Sequence, residues 1–104
     1  MPEKNIYRIK VDSLRDLILI AIQMPLKAIH LIREGDSYKA FIFFQLVPSR
    51  RIIIFELDNV EGKLIESRFI VYNSISGEYS FTQKPVTSPN VVHIPIIRIK
   101  EMII

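Results

Sequence analysis

The sequence predicts an α+β domain. It reads as one N-terminal helix packed on a curved antiparallel sheet, or a small barrel, of about six to seven strands, in the order β-α-β-β-β-β-β-β. Three observations carry this. A single helical stripe lies between Asp12 and Pro25. The rest of the chain is a series of β-branched and aromatic runs. Short turn segments, which hold all three glycines, separate those runs.

The elements follow in order. Over Asn5–Val11, Tyr7, Ile9 and Val11 alternate with Ile6, Arg8 and Lys10, the period of a half-buried strand. Asp12-Ser13 then opens a helix. Ser13 with Asp16 three residues on resembles a capping box, and an acid in the first turn suits the helix dipole. Leu14, Leu17, Ile18, Ala21 and Ile22 form its apolar stripe, widened by Leu19 and Ile20. Pro25 ends it, because the residue before a proline avoids the helical region. An alternative starts a second helix at Pro25 and caps it with Gly35. Against it, Ala28, Ile29, Leu31 and Ile32 make no clean helical stripe, so Lys27–Arg33 is read as a strand. Hairpins follow: a turn at 34–37, a long strand Tyr38–Val47, a turn at Pro48-Ser49 and a return over Arg50–Leu57. A loop at 58–62 leads to a strand Lys63–Asn73, a turn at 74–77, a short strand Glu78–Gln83 and a loop at 84–90. A final strand spans Val91–Met102. There is no repeat and no linker, so residues 1–104 form one domain.

The strands are more apolar than one wet face allows. In the long strand, Tyr38, Ala40, Ile42, Phe44 and Leu46 share one face, while Phe41, Phe43 and Val47 share the other with Lys39 and Gln45. The runs 52–55, 69–72 and 94–97 repeat the pattern. One short helix covers only part of one face. At roughly 25 cal/mol per Å², 400 Å² of apolar surface left wet forgoes about 10 kcal/mol, comparable to the stability of a small domain. The second face therefore needs a cover, and a homodimer or another protein is the expected one. The candidate interface residues are Phe41, Phe43, Ile53, Phe55 and the apolar C-terminal pair Ile103 and Ile104. The tail itself reads either as the end of the last core strand or as a docking segment.

Composition excludes several classes of chemistry. With no cysteine there are no disulfides, thiolate metal sites or cysteine nucleophiles. The longest apolar run, Leu17–Ile22, is far short of a membrane span, and the start of the chain shows no signal core, so a cytoplasmic location is expected. The 20 isoleucines, high charge and few glycines fit a thermophile's usage and fit AT-rich coding equally. His30 and His93 lie apart in apolar strands without metal-ligand spacing, and no Gly-x-Ser-x-Gly elbow or phosphate-binding loop occurs. Asp58-Asn59-Val60-Glu61-Gly62 faintly resembles a calcium loop but lacks the spaced oxygen ligands. Neither a catalytic centre nor a cofactor or metal site is expected.

The leading expectation is a non-enzymatic interaction domain. It would self-associate, or act as a small subunit of a larger complex, through apolar sheet surface. The net charge of +3 is basic but not strongly so, and an alternative rests on particular arginines and lysines. In it, a nucleic-acid-binding module uses Arg50, Arg51, Arg68, Arg98 and Lys100, with exposed aromatics stacking on bases. Cations on edge strands, however, also serve to prevent aggregation. A third reading places a ligand or enzymatic pocket between helix and sheet, with His30, His93 and Tyr38 as the residues of interest.

Overall fold

The computed structural model describes residues 5–60 and 62–102. The elements run β1 (Ile6–Lys10), α1 (Leu14–Ala21), β2 (Ile29–Glu34), β3 (Ser37–Leu46), β4 (Arg51–Leu57), α2 (Gly62–Glu66), β5 (Phe69–Asn73), β6 (Tyr79–Thr82) and β7 (Val91–Ile99). The strands form one seven-stranded sheet in the spatial order β1-β4-β3-β2-β7-β5-β6.

α1 forms where its cap dictates. Ser13 is extended, its Oγ accepts from the Asp16 N–H at 3.2 Å, and its carbonyl accepts from the Leu17 N–H. The regular helix stops at Ala21. A tighter turn, with Gln23 and Met24 bonding three residues back, closes the end before Pro25. Leu17, Ile18 and Ala21 are buried against the first face of the sheet. There they meet Ile29 and Leu31 of β2, Ala40 and Ile42 of β3, Ile94 and Ile96 of β7, Ile70 of β5 and Leu64 of α2.

Four features correct the sequence reading. First, the sheet is mixed. The hairpins β2–β3, β3–β4 and β5–β6 and the pair β5–β7 are antiparallel, but β1 pairs with β4 and β2 with β7 in parallel. The chain crosses from β1 to β2 by way of α1 on one face and resumes in the same direction, so β1 and β2 run alike. The two hairpins that follow then lay β4 parallel to β1 and beside it. Second, the sheet is open: β1 and β6 are its two outer strands, and no barrel closes.

Third, the expected strand Lys63–Asn73 begins as the short helix α2. Two interactions hold that turn. Ser67 Oγ donates back to the Lys63 carbonyl (2.5 Å), and Arg98 of β7 donates to the carbonyls of Ile65 and Ser67. These satisfy carbonyls that a helix end leaves unpaired. Leu64 is fully buried in the core beneath α1. Fourth, the last strand stops early, at Ile99 rather than Met102, and the chain then leaves the ladder.

Candidate functional site: the second face of the sheet

On the face away from α1, the side chains come from Ile6, Arg8 and Lys10 of β1, Ile52, Ile54 and Glu56 of β4, and Lys39, Phe41, Phe43 and Gln45 of β3. His30 and Ile32 of β2, His93, Pro95, Ile97 and Ile99 of β7, and Phe69 and Val71 of β5 lie on it too. This face carries its own apolar cluster. Ile32, Phe41 and Ile54 are buried, with Ile6, Ile52, Ile99 and Met102 packed against them. The cover is the chain's own tail. After Ile99 it crosses the face, and Met102 Sδ accepts from the Arg8 guanidinium at 3.5 Å. At the other side, loop 84–90 folds back, with the Val86 N–H donating to His93 Nε2 at 2.8 Å. His93 in turn meets the edge of Phe69.

Between these two covers lies a stripe that nothing described covers. Phe43 is 49% exposed and Ile97 42%. His30 joins them, opposite both Phe41 and Ile97 in register and with ring centroids 5.4 Å from Phe41 and 5.0 Å from Phe43. Its Nδ1 is buried without a hydrogen-bond partner. Loss of solvation lowers its pKa below the ordinary histidine value, partly offset by hydrogen bonding to the Phe41 backbone. The neutral imidazole therefore belongs to the folded state. The stability this contributes is present above about pH 6.5, the unfolded value, and is lost as pH falls through the lower folded value. The urea midpoint is expected to drop between pH 7.5 and 5, and less so in His30→Phe, which keeps the stacking. Equal slopes in the two proteins would remove His30 as the cause.

Of the candidate interface residues, Phe43 is well exposed on this stripe, whereas Phe41 is 1% exposed beneath it. Phe41 is packed in the second-face cluster, against which Met102 of the tail lies, so in the folded chain it belongs to the core and not to the surface. Ile53 and Phe55 are partly buried on the helix side. Ile103 and Ile104 lie outside the described residues. Sequence reasoning missed Ile97 as an exposed member of the stripe, and it missed Tyr7 and Ile9, which are 49% and 44% exposed on the outer strand β1.

The basic residues do not form one surface. Arg50 and Arg51 sit at the β3–β4 turn, level with Leu46, and Arg50 is in the left-handed region at φ 58°. Arg98 is level with Leu31, which pairs with Ala40, six residues along β3 and about 20 Å away. Arg68 lies beside β7 near Arg98, and Lys100 follows on the same chain end. Arg98 is committed to the α2 carbonyls.

Neither histidine lies between helix and sheet, because both project from the second face. The cleft on the helix side measures about 400 Å³ and is lined by Asp12, Arg15, Asp58, Asn59, Tyr79 and Phe81 among others. Two of its charged residues are engaged by neighbours. The Arg15 guanidinium lies 5.3 Å from the Tyr79 ring centre and donates to the Gly77 carbonyl, and Asp58 pairs with Lys10. Among the described residues, no three His, Asp or Glu side chains are placed to hold a metal ion, and Glu61 of the loop is outside them. No described helix is long and apolar enough to cross a membrane.

Beside the stripe is a charge cluster. Glu56, 1% exposed, meets Arg8 at 2.5 Å, Lys10 at 3.1 Å and Lys39 at 3.8 Å. Asp58 and Glu34 supply further carboxylates to Lys10 and Lys39. Hydrogen bonding to Asp58, and then to Glu56, raises the Lys10 pKa.

No family model, curated protein or solved structure matches this chain.

Proposed function

We propose that the chain is a non-enzymatic, cytoplasmic interaction domain that self-associates, or serves as a small subunit of a larger complex, through the apolar surface of its sheet. The observation that carries this is the Phe43–His30–Ile97 stripe, left open between the C-terminal tail and loop 84–90. Removing the exposed halves of Phe43 and Ile97 from water is worth roughly 2–3 kcal/mol, less than association costs, so the contact also draws on the surface around the stripe and is a weak one. The nucleic-acid alternative loses ground because its cations divide between opposite ends of the sheet and Arg98 is already bonded.

Light scattering across a concentration series tests the reading. Wild-type mass is expected to rise above 12.1 kDa, and the Phe43→Asp/Ile97→Asp double variant, which stays folded because both sites are half-exposed, is expected to give lower mass at every concentration. Identical mass curves for the two proteins would overturn it.

A further inference from the structure

We infer that β1 is a docking edge for the β1 of a second copy of this chain, joining two sheets antiparallel about a twofold axis at Arg8. This rests on the interaction reading above but names a different surface of the sheet, its edge.

The ladder to β4 fixes which groups of β1 point outward. The Asn5 carbonyl accepts from the Ile52 N–H (2.9 Å), and the Val11 N–H donates to the Glu56 carbonyl (2.8 Å). Odd-numbered residues therefore bond β4, and the peptide groups of Ile6, Arg8 and Lys10 face away from it. No described strand lies on that side. Such a row of unpaired donors and acceptors is a template for another strand unless something blocks it.

The usual blocks are absent or disarmed. β1 contains no proline, and five consecutive residues pair with β4 without a bulge. Its cations, Arg8 and Lys10, turn over the second face instead of guarding the edge, where Glu56, Asp58 and Met102 hold them. On the helix face, Tyr7 and Ile9 remain half-exposed.

The occupant follows from the symmetry of this strand. Two copies of β1 running antiparallel can share a face only in a register centred on a residue. Centring on Arg8 uses the whole strand: Ile6 faces the partner's Lys10, Arg8 faces its counterpart, and about six backbone hydrogen bonds form. Tyr7 then lies opposite the partner's Ile9, twice over, as a closely spaced aromatic–β-branched pair. Registers centred on Tyr7 or Ile9 leave about two of those bonds unmade. The facing Arg8 side chains each bring their own Glu56, so the seam holds two ion pairs and not two bare cations. A seam this narrow falls below the roughly 1,200 Å² of standard interfaces, so the dimer dissociates on dilution.

The absence of cysteine allows a direct test of register. Tyr7→Cys and Ile9→Cys proteins, each also carrying Phe43→Asp/Ile97→Asp to silence the face, are mixed in a glutathione redox buffer. Opposed positions of this kind stand about 4.5 Å apart at Cα, within disulfide range, whereas two copies of position 7 stand beyond it. The mixed 7–9 disulfide is expected to dominate over both symmetric ones. In sedimentation, the cysteine-free face variant is expected to approach twice 12.1 kDa at high concentration, and adding Tyr7→Glu/Ile9→Glu is expected to return it to monomer. Both edge substitutions fall at half-exposed sites, and circular dichroism checks that the fold persists. Random or symmetric cross-linking, or a dimer indifferent to the edge substitutions, overturns the edge inference and leaves the face reading standing. Wild-type assembly unaffected by the face substitutions overturns the face reading and leaves the edge.

Discussion

Phe41→Ala is expected to lower unfolding free energy by about 3–5 kcal/mol, the usual cost of emptying an aromatic site in a packed core. That is a large part of what a domain of this size has. The residue projects from the face that α1 does not touch, so a one-layer view of the fold would make it a surface side chain. Here it is 1% exposed, stacked on His30 and packed in one cluster with Ile32, Ile54, Ile99 of β7 and the tail residue Met102. Phe43, two residues on and on the same face, is half-exposed, and Phe43→Ala is expected to cost about 1 kcal/mol or less. Urea denaturation of the two variants measures the difference directly. Equally small losses in both would mean that the second face holds no core. The same comparison explains why assembly is assigned to Phe43 and not to its neighbour: a side chain already packed within its own chain has no area left to contribute.

The contrast between Phe41 and Phe43 shows where the sequence stops being legible. Alternation in β3 correctly divides its side chains into two apolar faces and shows that the second face requires a cover. It cannot show that Met102, 61 residues later, packs against the cluster that holds Phe41, while Phe43 is left half-exposed. Local chemistry is read well. Ser13 caps α1, Gly35 turns β2 into β3 in the left-handed region, and Pro25 keeps the helix short. Pairings between distant strands are not, because nothing in Ile6–Lys10 names β4 as its partner or parallel as its direction. α2 fails for a related reason. Its five residues have no strong local preference, and the arginine that satisfies its carbonyls comes from β7. The candidate site was thus visible as an excess of apolar surface, while its position between the tail and loop 84–90 depends on contacts between segments far apart in the chain.

Glu56 depends on such contacts most of all, and Glu56→Ala is expected to cost about 2–4 kcal/mol. Three cations from two strands converge on this buried carboxylate. Breaking a fully buried ion pair by removing one partner costs about 3–5 kcal/mol, because the other charge is stranded. Arg8 and Lys10 are about half-exposed and can return to water, which reduces the figure. Lys39, at 16% side-chain exposure, cannot do so as readily and must rely on Glu34 and Asp58. Asp58→Ala, which removes an exposed carboxylate from the same cluster, is expected to cost less than about 1 kcal/mol. If Glu56→Ala proves equally mild, the cluster is surface decoration. The paired replacement Arg8→Met/Glu56→Met separates two roles. Substituting apolar side chains for both members of a buried pair is often neutral; Glu56 is buried but Arg8 is about half-exposed, and Lys10 and Lys39 still lose Glu56, so stability is expected to recover part of the loss. Register is a different matter. Glu56 ties Arg8 and Lys10 over the second face, and that tether keeps their charges off the outer edge of β1. In the paired variant Lys10 loses its Glu56 contact and keeps only Asp58. A stable Arg8→Met/Glu56→Met protein with weakened edge pairing would therefore assign the buried carboxylate to placing β1 and not to holding the fold.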